Sequence, residues 1–286
     1  MNIVLTGSTG FIGKNLLKKL SNNKKFKVLN LVRTNSKKIE KENIKYLKCD
    51  LNKIEKHKKK ICDFKPDTLI HLAWDKIPNF SLKKSKINEN MSIKLIKFIE
   101  KNTQVNNIII SGSCFEIIPP SKSYQYFIDA KKKIFNYLSL RSKLNKFNYQ
   151  WLRIFYVYGP DQRKGSLIPH LTDTIKFDKE LKLNTPKNKH DFIYVDDVCD
   201  CIIKCLKKGI GSNIFEVGTG KTTTLKKILK IIEKVKNKKF ILKKQNTKKN
   251  NNNLRANIKI LKKKLNWKSK ISIKEGIEKT IRLDDL

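Results

Sequence analysis

Short apolar runs alternate with amphipathic stretches along the first half of the chain. The runs are rich in β-branched residues and predict five buried strands, at 2–6, 26–32, 44–47, 68–72 and 108–110. Apolar residues at helical spacing predict intervening helices, notably over 11–20 and 90–100. Because parallel strands need crossover helices, this alternation predicts an α/β fold with a doubly wound parallel sheet.

The pattern loosens after about residue 160, where Gly159 and Pro160 break the chain. The elements predicted beyond this break are strands at 193–195 and 214–217, a helix over 198–206, and polar loops at 184–189 and 245–253. We therefore expect a larger N-terminal α/β domain that is followed by a smaller region.

Three glycines, Gly7, Gly10 and Gly13, follow the first predicted strand and open the first predicted helix. Such a turn lets the backbone approach a pyrophosphate closely, and the anion then lies at the positive end of the helix. The position of the turn at a strand–helix junction makes the signal specific. The sequence therefore predicts a dinucleotide site at this turn.

The end of the second predicted strand distinguishes between dinucleotides. An acidic side chain about 20 residues after the glycines would bind the ribose 2′-hydroxyl of NAD. The segment 31–38 carries Arg33 and no acid, and a guanidinium binds a 2′-phosphate bidentately. The sequence therefore favours NADP over NAD, with an ordinary solvated cation as the alternative interpretation of Arg33.

The formal net charge of +40 comes mostly from lysines that are spread through every segment. Such a charge attracts polyanions, but a dedicated nucleic-acid surface more often shows clustered arginines with interleaved aromatics. We therefore expect no dedicated nucleic-acid site. No apolar run approaches the roughly 20 residues of a membrane span, and the first residues lack a signal-peptide pattern, so we expect a cytoplasmic protein. The six cysteines read as buried hydrophobes rather than as disulfides or a metal site.

Further motifs continue along the chain after the glycine turn. The segments concerned are 6–13, 49–51, 70–74, 110–113, 152–160, 190–198 and 264–268, together with Asn90. In their order and spacing they resemble the extended short-chain dehydrogenase/reductases, the NAD-dependent epimerase/dehydratase family of nucleotide-sugar enzymes. The resemblance implies a Rossmann-type dinucleotide-binding domain over 1–160, to which later strands near 192–217 return. It also implies a smaller, mainly substrate-binding α/β region over 161–286.

The resemblance also implies which residues contact each ligand. The positions that match cofactor contacts are Gly7, Thr9, Gly10, Phe11, Ile12, Gly13, Arg33, Asp50, Leu51, Leu72, Ala73, Trp74, Asn90, Ser111 and Lys131. The positions that match substrate contacts are Trp74, Ser113, Cys114, Phe115, Tyr156, His190 and Arg255. His190 stands where the family often has an arginine.

One catalytic position departs from the family pattern. In this chemistry a tyrosine transfers a proton to or from the sugar oxygen, and a lysine one helical turn later holds the nicotinamide ribose. Lys131 is present, but Phe127 stands in the place of the tyrosine. Either Tyr126 takes over as the acid, or Ser113 and water carry the proton, or the oxidoreductase activity is lost.

The resemblance implies an NAD(P)-dependent oxidoreductase or epimerase that acts on a nucleotide-activated (deoxy)sugar, at C4. Dehydration is disfavoured, because Cys114 and Phe115 stand where the family's 4,6-dehydratases carry Asp-Glu. The alternative is a catalytically decayed dinucleotide-binding sensor or scaffold. The expected partner is a nucleotide sugar, with neither a membrane nor a metal involved, and the sequence leaves a homodimer open.

Overall fold

The computed structural model describes residues 1–34, 39–118, 123–145, 147–182, 188–243 and 253–284. Strands and helices alternate through the first part of the chain, as the apolar pattern predicts. The elements there are β1 (Asn2–Thr6), α1 (Phe11–Ser21), β2 (Lys27–Val32), β3 (Ile44–Lys48), α2 (Lys58–Asp63), β4 (Thr68–His71), α3 (Leu82–Asn102), β5 (Asn107–Ser113), α4 (Gln125–Asn145) and β6 (Asn148–Ile154).

The remaining elements are shorter. They are β7 (Tyr156–Tyr158), α5 (Leu167–Lys176), β8 (Glu180–Leu181), β9 (Lys189–His190), β10 (Phe192–Tyr194), α6 (Val195–Lys204), β11 (Asn213–Val217), β12 (Thr223–Thr224), α7 (Leu225–Lys236), β13 (Ile241–Leu242), α8 (Lys259–Leu265) and α9 (Ile273–Asp284). Of the two predicted loops, 184–187 and 245–252 lie outside the described residues.

Seven strands form one sheet in the order β11-β6-β5-β4-β1-β2-β3. β1 pairs in parallel with β2 and β4, and the pairs β2–β3 and β4–β5 are parallel as well. β1 and β4 are almost entirely buried, which explains their continuous apolar sequences. The predicted doubly wound parallel sheet is confirmed. The strand order reverses beside β1, and ligands of such sheets bind beyond the carboxyl ends of the strands at that point.

The chain divides into two compact units. The first comprises Met1–Arg153 and Ile202–Phe215, and the second comprises Ile154–Cys201 and Glu216–Leu286. The boundaries fall inside β6, α6 and β11. The second unit contains three small sheets of its own, in which β10 pairs with β7, β12 with β9 and β13 with β8.

Helix α3 begins eight residues before the predicted helix, at Leu82. The inward-facing residues of its first turns are polar, namely Ser85, Asn88 and Glu89, so the apolar pattern does not reveal them. Further along, Leu95, Ile96, Phe98 and Ile99 pack into the apolar core of the first unit. The start of α3 thus contributes buried polar side chains rather than apolar ones.

None of the described helices combines the length and the apolar character that a bilayer crossing requires. Within the described ranges, His, Cys, Asp and Glu residues do not come together in a group of three or more that could hold a metal ion. Cys201 and Cys205 are buried in α6 and the turn after it.

Candidate active site

The glycine turn connects β1 to α1 and contains two positions that exclude any side chain. Gly7 has a φ of +81°, and an added Cβ there would lie 2.5 Å from the backbone nitrogen of Ala73. An added Cβ at Gly13 would lie 2.1 Å from Gly7 O, so helix and turn could not pack. Gly10 is different, because its Cβ would meet only Gly7 O, at 3.3 Å. The fold of the turn therefore tolerates a side chain at Gly10 better than at Gly7 or Gly13. A side chain at Gly10 would instead occupy space next to the turn that a bound ligand could use.

A cavity of the first unit opens beyond the carboxyl ends of β1, β2 and β4. The predicted cofactor residues that line it are Gly7, Thr9, Gly10, Arg33, Leu51, Leu72, Ala73 and Trp74. It is also lined by residues that were not among the predicted contacts, namely Thr6, Leu31, Val32, Thr34, Cys49, Asp75 and Met91. The glycine turn, the helix start and the apolar walls fit the pyrophosphate and adenosine of a dinucleotide.

Other predicted cofactor residues do not line this cavity. Phe11, Ile12 and Gly13 form the first turn of α1, and Asp50 caps the 3₁₀ turn that starts at Leu51 by accepting from the Asn52 amide. Asn90 is exposed on α3, whereas Asn88 is buried. The structure therefore does not bring Asn90 to the site.

Asn88 holds the segment that follows β4. Its Oδ1 accepts from the backbone nitrogen of Asp75 at 2.6 Å, and its Nδ2 donates to the Asp75 carbonyl at 3.2 Å. The Asp75 carboxylate in turn accepts from the Arg33 guanidinium at 2.8 Å. The acid near the cavity is thus Asp75, which follows β4, whereas the dinucleotide-binding pattern predicts an acid after β2.

A buried hydrogen-bonded chain lies beneath this cavity. Thr6 Oγ1 lies 2.7 Å from His71 Nδ1, and His71 Nε2 lies 2.9 Å from Ser92 Oγ. Because the Ser92 hydroxyl donates to Asn88 O, it accepts from Nε2–H, and Nδ1 accepts from Thr6. Burial, aided by the positive charge of Lys131, lowers the pKa of His71 to about 3. His71 is therefore neutral, and its two hydrogen bonds connect β4 to β1 and α3.

Ser113 ends β5 and begins a 3₁₀ turn, Cys114–Ile117, as part of a capping box. Its Oγ accepts from the Phe115 amide at 3.2 Å, and Glu116 Oε1 accepts from the Ser113 amide at 2.7 Å. Glu116 Oε2 also accepts from Trp151 Nε1 at 2.9 Å and Arg153 Nε at 3.2 Å. Since Ser113 Oγ is an acceptor in the cap, its own hydrogen is left for another group. Glu116, which the sequence did not single out, fixes this serine.

Lys131 is buried in α4, and its Nζ donates to Ser111 O at 2.6 Å. The same atom lies 4.2 Å from the centre of the Trp74 ring, within the range of a cation–π contact. Burial lowers the pKa of Lys131 to about 8, against the opposing effect of the Glu116 carboxylate. Trp74 lines the cavity, so this ring connects the cavity with the ammonium group.

Phe127 occupies the position one helical turn before Lys131. Its ring is buried in a T-shaped contact with Trp74, at a centroid separation of 5.0 Å. Tyr126 is 47% exposed. One residue along a helix is a rotation of about 100°, so the inward position of Phe127 turns Tyr126 outward. The structure brings Lys131, Trp74 and Phe127 together and leaves Tyr126 outside that cluster.

The 3₁₀ turn also carries two predicted substrate residues. Cys114 is buried, and the Phe115 ring stacks on Tyr124 with centroids 4.6 Å apart.

In the second unit, the ring of Tyr156 lies against the ring of His190, with centroids 4.4 Å apart. Burial lowers the pKa of His190, so it is neutral near pH 7. The neighbouring Asp191 is completely buried, and its carboxylate accepts from the amides of Thr219, Gly220 and Ala256. Asp191 thereby holds together two loops that are distant in the sequence.

These loops form a basic groove of the second unit. Its lining includes the predicted substrate residue Arg255, together with Lys221, Lys259 and Lys262. Four cations in one groove suit an anionic group such as a diphosphate. Asp191, which supports the groove, belongs to the motif segment 190–198, but the sequence did not indicate its role.

A parallel sheet that reverses at β1, with a glycine turn and a cavity at that point, defines a Rossmann-type fold. The model of the NAD dependent epimerase/dehydratase family matches residues 3–218. The chain therefore belongs to this family, which lies within the extended short-chain dehydrogenase/reductases, and the predicted resemblance is confirmed.

Relatives of this chain include enzymes named for deoxysugar chemistry. CDP-abequose synthase of Salmonella muenchen is 38% identical over 85 residues, which is 29% of each chain. The dTDP-6-deoxy-L-talose 4-dehydrogenase (NAD(+)) of Aggregatibacter actinomycetemcomitans is 24% identical, over 79% of this chain and 87% of the enzyme. An uncharacterized protein of Methanocaldococcus jannaschii is 28% identical over 97% of this chain and 94% of its own length.

Solved structures show the same fold along the whole chain. UDP-glucose 4-epimerase of Thermotoga maritima with UDP-glucose has a TM-score of 0.83 at 23% identity, covering 100% of this chain and 99% of that one. UDP-glucuronic acid 4-epimerase of Bacillus cereus with UDP-glucuronic acid and NAD has a TM-score of 0.86 at 19% identity, covering 99% and 98%. The predicted Rossmann-type fold is thereby confirmed.

Proposed function

We propose that this protein is an NAD(P)-dependent oxidoreductase or epimerase that acts at C4 of a nucleotide-activated (deoxy)sugar. The observation that carries the proposal is the position of Trp74, which lines the glycine-turn cavity and lies 4.2 Å from Lys131 Nζ. A dinucleotide in the cavity would thus meet a buried amine at one end. The names of the relatives, which include a synthase and a 4-dehydrogenase of nucleotide-linked deoxysugars, support the substrate class.

The dinucleotide would supply hydride chemistry, and the chain would supply its position. Gly7, Gly10 and the start of α1 would hold the pyrophosphate, and Lys131 would donate to the nicotinamide ribose. Arg33 after β2 favours NADP(H), whereas six of the similar structures contain NAD. The cofactor is therefore NAD(H) or NADP(H), with Arg33 as the residue that favours the latter.

Proton transfer to the sugar oxygen is assigned to Ser113 and a water molecule. The Ser113 hydroxyl keeps a hydrogen for this purpose, because the capping box uses only its oxygen. Tyr126 is exposed and Phe127 has no acidic proton, so neither offers an equivalent group. Loss of a positioned general acid costs about 10²-fold or more, so we expect slow turnover.

The nucleotide sugar would bring a diphosphate, and the basic groove around Arg255 is the proposed place for it. Tyr156 and His190 stack on one another in the same unit and would contact the sugar or base. Neutral His190 can still donate one hydrogen bond. This assignment makes the second unit the main substrate-binding region.

The test is oxidation of NADH or NADPH by the purified protein in the presence of nucleotide-linked 4-keto-6-deoxysugars, followed by absorbance. Product masses identify the reduced sugar. We expect slow, substrate-dependent oxidation that Ser113→Ala abolishes, while Glu42→Gln, an exposed change, has no effect. No turnover with any sugar by a protein that binds the dinucleotide would contradict the proposal.

A second candidate function is a dinucleotide-binding sensor or scaffold. The observation that favours it is the buried Phe127 ring against Trp74, in the place where catalysis in this family needs a phenol. If both the wild type and Phe127→Tyr are inert while the dinucleotide binds, this candidate replaces the enzyme.

A further inference from the structure

The glycine-turn cavity contains one pair of opposite charges. Among the cavity-lining residues that the structure describes, Arg33 is the only cation and Asp75 the only carboxylate. They pair with each other, with Arg33 Nη2 2.8 Å from Asp75 Oδ1. Arg33 follows β2 and Asp75 follows β4, and β1 lies between those strands. The pair therefore spans the carboxyl end of β1, where the glycine turn begins.

The two members of this pair are held very differently. The Asp75 side chain is 16% exposed, and Asn88 binds both the amide and the carbonyl of Asp75. Asn88 is itself completely buried and accepts at its carbonyl from Ser92. The Arg33 side chain is 63% exposed and lies at the edge of the cavity. The carboxylate is thus a fixed point, and the guanidinium is the partner that can turn away.

We propose that Asp75 is a specificity-determining residue for the dinucleotide, because it competes with a 2′-phosphate for Arg33. The proposal rests on the proposed function only in requiring that a dinucleotide binds. A 2′-phosphate gains most from a guanidinium that is free to bind bidentately. Here it must first displace a carboxylate from that guanidinium. A neutral 2′-hydroxyl has no such cost, so Asp75 limits the preference for NADP(H) that Arg33 alone would create.

The test measures the affinities of NADPH and NADH by titration calorimetry, without any sugar substrate. Asp75→Asn removes the charge and keeps the backbone bonds to Asn88, so the segment stays in place. An exposed ion pair is weak, so we expect NADPH to bind about fivefold more tightly and NADH to change by less than about twofold. Glu42→Gln removes an equivalent charge from an exposed turn and controls for the change in net charge.

The same measurements are repeated with Asp75→Asn in a protein that also carries Arg33→Met. If Asp75 acts through Arg33, Asp75→Asn has no selective effect on NADPH once Arg33 is methionine. Adenosine 2′,5′-bisphosphate and adenosine 5′-monophosphate repeat the comparison without the nicotinamide half. We expect the gain from Asp75→Asn with the bisphosphate only. The gain also shrinks at high ionic strength, since Arg33 is exposed.

Three results would overturn the inference. They are an equal change for NADPH and NADH, no change for either, or a selective gain that persists in the Arg33→Met background. If Asp75→Asn does not fold, Asp75→Ser is measured in its place against the same ligands. If the wild type binds NADH and Asp75→Asn does not selectively change the affinity for NADPH, only the inference is refuted. A folded wild type that binds neither dinucleotide refutes the proposed function as well.

Discussion

Replacing Phe127 by tyrosine restores a phenol one helical turn before Lys131. The Phe127 ring centroid lies 5.8 Å from Lys131 Nζ. A para hydroxyl lies roughly 3 Å from the ring centroid, and the one-turn spacing places it on the same face of α4 as the ammonium group. The new hydroxyl would have a buried partner, so we expect a stability change of less than about 1 kcal/mol.

The expected gain in turnover is about 10²-fold or more, which corresponds to about 2.7 kcal/mol of transition-state stabilisation. Hydride transfer is measured by single-turnover absorbance with a nucleotide-linked 4-keto-6-deoxysugar. A second readout is the pKa of the new phenol from ultraviolet titration. The positive charge of Lys131 lowers that pKa relative to the same variant with Lys131→Met.

The matched control is Phe80→Tyr. Phe80 packs on Phe127 with centroids 4.8 Å apart, so this variant adds a hydroxyl to the same aromatic cluster without the one-turn spacing to Lys131. We expect no gain from it. If Phe127→Tyr folds and binds the dinucleotide but turns over no faster than Phe80→Tyr, the assignment of α4 to the proton-transfer site is wrong.

Three further predictions concern the glycine turn and two buried polar residues. Gly10→Val should abolish dinucleotide binding in calorimetry while leaving the melting temperature nearly unchanged, whereas Gly13→Ala should lower the melting temperature; the reverse order would be inconsistent with the contacts of these glycines. Lys131→Met should raise the free energy of unfolding at pH 7, because burial lowers the folded-state pKa of Lys131 to about 8 and the charged form is therefore costly in the folded protein. In urea titrations, the stability difference between the variant and the wild type should decline as the pH rises from 8 towards 10.5. A pH-independent advantage would refute that reasoning. Asn30 is fully buried, and neither polar atom of its side chain has a hydrogen-bond partner among the described residues. Asn30→Val should therefore stabilise the protein by about 1 kcal/mol or more, and a lower melting temperature would contradict this.

The central strands β1, β2 and β4 could be predicted because they are buried on both faces and therefore appear as continuous apolar runs. The start of α3 could not, since Ser85 and Asn88 face inward there and break the apolar periodicity. The short strands of the second unit were missed for another reason. Elements such as Glu180–Leu181 and Thr223–Thr224 have only two residues, too few for any alternation to show.

The candidate site was predictable where its residues are consecutive in the sequence, as in the glycine turn and the pair Ala73-Trp74. It was not predictable where a carboxylate acts across long sequence separations. Asp191 binds Thr219 and Ala256, which lie 28 and 65 residues later. Glu116 likewise meets Trp151 and Arg153 only after the chain has formed α4 and β6. These contacts depend on the fold, so the local sequence around each acid does not reveal its partners.

The discontinuity of the first unit has a consequence for synthesis on the ribosome. β6 is made before the chain enters the segment Ile154–Cys201, but its outer neighbour β11 begins only at Asn213. During that interval β6 is an edge strand with unpaired amides and carbonyls, and such edges recruit other chains. A fragment that stops at residue 153 keeps that edge permanently. We expect it to aggregate, whereas a chain that extends through Val217 covers the edge with its own strand.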